Sequence, residues 1–172
     1  MTPRRILLFL VVLGTWLYSV SCSSNKGQNE FEKESLRTPN GYTHTDTQGK
    51  VVNNETDPDD WRIAPMYQGY VYVQSPAYPN PVKASPPVKI ELMITGVQAV
   101  NGLYLYRRSV DGSYKLLTSQ PQSPLPAGLA VLQFNSSQLS DNGTYSGAVG
   151  LHRVFVYDEN FNIITYGDIK VE

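Results

Sequence analysis

The chain has 172 residues and a mass of 19.2 kDa, enough for one domain with a sizeable core. Its 14 Lys and Arg stand against 15 Asp and Glu, so there is no basic excess to neutralise phosphates, and no nucleic-acid partner is expected. One Cys and two His exclude an intrachain disulfide framework and a Cys-rich zinc site, while 12 Tyr, 12 Pro and 13 Gly point to short strands and many turns.

Residues 1–22 read MTPRRILLFLVVLGTWLYSVSC. Arg4 and Arg5 form a positive start, residues 6–18 are apolar, and the small residues Ser19, Val20 and Ser21 precede Cys22. This is the three-part pattern of a secretory signal peptide over 1–21. The apolar run is shorter than the roughly 20 residues of a spanning helix. The single cysteine stands at the cleavage point. The stretch from Leu17 to Cys22 resembles a bacterial lipoprotein signal, with Ser19 where that family usually carries Leu. The resemblance implies acylation of Cys22, palmitate included, and lasting attachment to a membrane of the cell envelope. The outer membrane is preferred, with the domain facing the periplasm or the outside. A free thiol in an uncleaved or differently cleaved leader is the alternative for the same residue.

Residues 22–58 are polar and rich in Ser, Asn, Thr and Gly, and no apolar period is sustained. They read as a flexible tether; a coil of that length reaches about 30 Å. The alternative is that Tyr42, or Val51 with Val52, packs on the domain edge. Asp57, Pro58, Asp59 and Asp60 form an acidic turn before Trp61. Asp oxygens suit calcium, but the glycine and terminal Glu of a calcium loop are missing, so a solvated turn is preferred and no metal is expected.

Residues 59–172 read as an all-β domain. Residues 69–74 (GYVYVQ) alternate Tyr70 and Tyr72 against Val71 and Val73. In Val88–Ile94, Val88, Ile90, Leu92 and Ile94 face one way and Lys89 and Glu91 the other, the mark of a half-buried strand. Residues 103–109 alternate Leu103 and Leu105 against Tyr104 and Tyr106, and Asp111-Gly112 turns the chain into 114–118. Residues 129–134 are apolar on both faces. Residues 135–145 are turn-rich, with room for one helical turn at Ser136–Leu139, and no stronger helical period follows residue 22. Residues 151–157 and Ile163–Val171 form a closing pair. Seven strands without intervening helices predict a two-sheet antiparallel β-sandwich and disfavour α/β enzyme folds.

Tyr78-Pro79-Asn80-Pro81 is a stiff turn that ends one strand and launches the next. With it, the segment from Tyr78 to Val171 resembles the immunoglobulin-like domain of flagellar hook-capping proteins and the C-terminal sorting domains of type IX secretion cargo. The alternating strand Val88–Ile94, the Asp111-Gly112 turn and the final strand bearing Lys170 extend the match. Val82 and Ser113 depart from it. The resemblance implies the sandwich fold and a cell-envelope setting.

The sequence offers little for catalysis. No Gly-x-Ser-x-Gly elbow occurs, and no Gly-rich phosphate loop precedes a helix. His152 falls mid-strand and His44 in the tether, too far apart for a metal pair. No cofactor and no catalytic residue is expected. The aromatics are the feature suited to binding: Tyr70, Tyr72, Tyr104 and Tyr106 are expected to face outward, and Trp61 to anchor the sandwich edge. The Tyr residues serve either as cross-strand ladders or as a surface for a sugar or a protein. The expected role is that of a lipid-anchored structural or protein-interaction module without catalysis; the alternative is a carbohydrate-binding surface protein.

Overall fold

The computed structural model describes residues 26–172. The signal segment and Cys22 lie outside the described residues. The chain divides after Leu36 into two compact units. In the first, residues 26–35 are helical (α1). This corrects the expectation of no more than one helical turn, at Ser136–Leu139, after residue 22. Lys26, Gln28, Glu30, Glu32, Lys33 and Glu34 are all good helix formers, and Gln28 Nε2 donates to Glu32 Oε1 one turn on, at 3.0 Å. A search for apolar periodicity does not register such a helix.

The second unit, Arg37–Glu172, holds seven strands among the described residues. They are β1 (Val71–Tyr78), β2 (Val88–Ile94), β3 (Leu103–Arg108), β4 (Tyr114–Gln120), β5 (Gly128–Phe134), β6 (Gly150–Tyr157) and β7 (Ile163–Val171). One sheet runs β1-β2-β5 and the other β4-β3-β6-β7, with every neighbouring pair antiparallel. This is the expected immunoglobulin-like sandwich. Its core follows the alternation in the sequence. Val88, Ile90, Leu92 and Ile94 from β2 meet Leu103, Leu105, Val154, Val156 and Ile169 from the other sheet, all buried. Each such side chain contributes about 1.5–3 kcal/mol by leaving water. Val73 is only half-buried because the β1–β2 register shifts between Val73 and Ser75. The helical turn expected at Ser136–Leu139 is a 3₁₀ helix; Asn135 N donates to Gln138 Oε1 at 2.9 Å in a capping box. A four-residue helix α2 (Tyr145–Ala148) follows, capped by Thr144.

Residues 37–58 are not a free tether but part of the sandwich unit. Thr45 forms isolated bridges to both Val51 and Asn80, and its Oγ1 donates to Ala77 O at 2.6 Å. Asp46 Oδ1 closes the intervening turn by accepting from Gln48 N and Lys50 N at 2.8 and 3.0 Å. The segment docks through backbone groups and threonine hydroxyls. Its apolar residues contribute little, so hydropathy gave no sign of it.

Residues 60–64 and 80–82, on which that segment docks, cover an exposed edge. β7 is the last strand of its sheet, and its outward backbone groups need partners. Ala64 N and Trp61 N donate to Ile164 O and Tyr166 O at 2.8 and 2.7 Å. Asp60 Oδ1 accepts from Asp168 N at 2.8 Å. Asn80 Nδ2 donates to Asp168 O, and Asn80 Oδ1 accepts from Lys170 N, both at 2.9 Å. Val82 then accepts from Glu172 N and donates to Lys170 O, at 3.0 and 2.8 Å. Two short backbone pieces and two side chains thus stand in for an eighth strand.

Candidate functional site: an aromatic face on the four-stranded sheet

The outward positions of β3, β4 and β6 place Tyr106, Tyr114, Phe155 and Tyr157 side by side, and the β6–β7 turn adds Phe161. Tyr106 lies edge-on to Tyr114 (centroids 6.4 Å, 90°) and to Tyr157 (5.9 Å, 73°). Phe161 packs on Tyr106 at 5.5 Å and on Tyr157 at 5.8 Å. Tyr114 also meets Phe155 and Tyr157, at 5.6 and 5.9 Å. Such pairs add about 0.5–1.5 kcal/mol each beyond burial. Phe155 is the buried floor. Tyr114 and Phe161 are 39% and 64% exposed and form the rim, with Leu116 beside them on β4.

The turn that presents Phe161 is held by one carboxylate. Asp158 Oδ1 accepts from Asn160 N and Asn162 N at 2.9 and 2.8 Å. Its Oδ2 accepts from Tyr67 Oη at 2.6 Å and Asn162 Nδ2 at 3.0 Å. Burial raises the Asp158 pKa, but the bonds from Tyr67 and Asn162 outweigh it and hold the carboxyl below its usual range. Within this frame Phe161 takes a φ of 61°, which costs a bulky side chain backbone energy. An exposed aromatic ring is therefore maintained at some cost.

Of the residues expected to bind, Tyr104 and Tyr106 do face outward on β3, half-buried, and Tyr106 is the hub of the cluster. Tyr72 belongs to β1 of the other sheet and Tyr70 to the turn before it, so they do not join this surface. Tyr72 is exposed at 55% in the row Tyr72–Met93–Leu129 across β1, β2 and β5. Trp61 is 7% exposed and offers no binding surface. As expected it anchors the edge: a Cβ on Gly167 would collide with its indole ring. Tyr78, Pro79, Asn80 and Pro81 form a structural turn. Asn80, wholly buried, also donates to Thr43 O at 2.9 Å, and Tyr78 Oη donates to Glu91 Oε1 at 2.5 Å. Reasoning from single strands missed Tyr114, Tyr157 and Phe161. Tyr157 could have been found by alternation in LHRVFVY; Phe161 lies in a turn and carried no signal.

The acidic turn is not solvated throughout. Asp60 is buried, and its Oδ2 accepts from Thr43 N at 2.8 Å. Burial, and then the negative charge of Asp168, push its carboxyl up to about 7. Asp168 binds Arg153 through Nε and Nη2 at 2.7 and 2.6 Å; burial still pushes its carboxyl up against that pull. Asp57, Asp60 and Asp168 bring carboxylate oxygens within 4.8 Å of one another. All three are already committed, Asp57 and Asp60 to backbone amides and Asp168 to Arg153, so turn and edge closure account for the arrangement. His152 Nε2 lies 2.7 Å from Ala148 O, and burial pushes its pKa down. His44 pairs with Glu55 instead. No protein-family model and no curated protein sequence matches the chain.

Proposed function

We propose that this chain is a lipid-anchored cell-envelope module that works by binding a partner protein through the aromatic face, without catalysis. The carrying observation is the Tyr106–Tyr114–Tyr157–Phe161 cluster, half-buried at Tyr106 and Tyr157 and exposed at Tyr114 and Phe161, with Phe161 locked in a left-handed backbone. Aromatic residues clustered around a buried ring have the composition of a binding hot spot. The anchor rests on the leader pattern and on the position of Cys22.

A protein partner is favoured over a glycan by ring geometry. Most of the rings meet edge to face, which makes a contoured surface rather than a flat plate for a pyranose. A photo-crosslinking residue at Phe161 is expected to trap one discrete protein in envelope preparations. The same residue at Val110, fully solvent-exposed, is expected to trap none. Equal, diffuse labelling from both sites would remove the proposal. Mass spectrometry of the mature N-terminus tests the anchor separately: an unmodified Cys22 thiol would remove that part alone.

A further inference from the structure

Away from the aromatic face, residues 40–42, His44 and Glu55 border a cleft of about 420 Å3 against Leu151 of β6 and Lys170 of β7. That volume lies within the usual range for small-ligand sites. The Tyr42 ring stands at 61° to the His44 ring, with centroids 6.3 Å apart. Glu55 holds His44 twice. His44 N donates to Glu55 O at 2.9 Å, and His44 Nδ1 lies 2.9 Å from Glu55 Oε2. In the tautomer whose Nδ1–H donates to Glu55 Oε2, Nε2 is left as an acceptor for a ligand. Asn40 adds an amide to the same wall.

Lys170 is the cation of this cleft. It is half-buried, and its backbone is fixed by Asn80 Oδ1 and Val82. Among the described residues its ammonium enters no ion pair. Glu55, the carboxylate of the same cleft, is turned to His44, so a partly desolvated cation that makes no ion pair is left to favour an anionic ligand group. The other groups suit hydroxyls: two acceptors in His44 Nε2 and the second Glu55 oxygen, and a two-way amide in Asn40. Tyr42 offers a ring face or edge for aliphatic C–H groups. We infer that this cleft binds a small acidic sugar, its carboxylate on Lys170 and its hydroxyls on Asn40, His44 and Glu55.

Calorimetric titration of the full chain with glucuronate, glucose, acetate and alanine tests this. Glucuronate is expected to bind with a Kd of about 1 mM, and each of the other three about tenfold more weakly. Lys170→Met keeps the aliphatic stem and is expected to weaken glucuronate about tenfold, with an unchanged melting curve. Tyr42→Ala is expected to weaken glucuronate and glucose alike. Phe161→Ala is expected to leave glucuronate binding intact, which separates this site from the aromatic face. Absence of glucuronate binding, acetate or alanine binding as tightly as glucuronate, or full affinity in Lys170→Met would each overturn the inference.

Discussion

Asp60 does with a side chain what a strand does with its backbone. Its two oxygens accept from Thr43 N and Asp168 N, so one carboxylate ties the 43–45 segment to β7. The site is buried and shared with Asp168, which pushes the Asp60 pKa up from 3.8 to about 7. The folded state therefore holds a proton that the unfolded chain has released. The stabilisation from this group is fully present below about pH 4 and is lost as the pH rises towards 7. His152 has the opposite sign: its pKa is pushed down by burial, so its contribution is lost as the pH falls below the ordinary histidine range. In urea titrations from pH 4 to 8, Asp60→Asn is expected to remove the downward slope with rising pH. It is also expected to cost about 1–3 kcal/mol, because one amide donor would then face an NH2 group. An unchanged slope in Asp60→Asn would show that the proton is held elsewhere. None of this was legible from the residues around it. An Asp-Pro-Asp-Asp run looks like a water-facing turn, and its burial is set by a strand more than a hundred residues away.

The strands were legible because burial writes itself as alternation: β2 and β3 could be read residue by residue, inward and outward. The pieces that complete the fold were not, since their stabilisation lies in backbone pairing. Thr43, Thr45 and Asn80 are polar and buried, a combination that hydropathy reads as loop. Asn80 shows what such a residue is worth. Its side chain donates to Thr43 O and Asp168 O and accepts from Lys170 N, with no exposed surface. Asn80→Ala leaves three buried backbone groups unpaired and is expected to cost on the order of 3 kcal/mol. Amide hydrogen exchange is the sharper measurement. Lys170 N should lose protection in Asn80→Ala while the amides of β2 keep theirs. Uniform loss across both sheets would mean that Asn80 supports the whole core and not one edge.

For the molecule as a whole, the two sheets divide their labour. Residues buried between them or beneath the aromatic face set stability, while the rim of that face sets what the surface can hold. Phe155→Ala is expected to cost about 3–5 kcal/mol, as for a buried aromatic. Phe161→Ala removes an exposed ring and relaxes nothing in the core; its thermal midpoint is expected to stay close to that of the parent, while capture of the partner by a crosslinking residue at Leu116, on the same rim, disappears. If Phe161→Ala unfolds as readily as Phe155→Ala, the ring belongs to the core and the face is not a recognition surface. The sequence showed that tyrosines would point outward. It could not show which would meet, because that depends on strand order, and only the pairing of β3 with both β4 and β6 brings them together.

The last strand has one more consequence, for the order of events when the chain is made. Its staples, Trp61, Asp60, Asn80 and Val82, are synthesised long before it, and some bonds close loops of 90 and 108 residues. A nascent chain halted before β7 carries the staples with nothing to fasten, and leaves β6 as a bare rim. Closing this edge therefore waits until β7 has been made, and the contacts it needs are among the slowest kind to form.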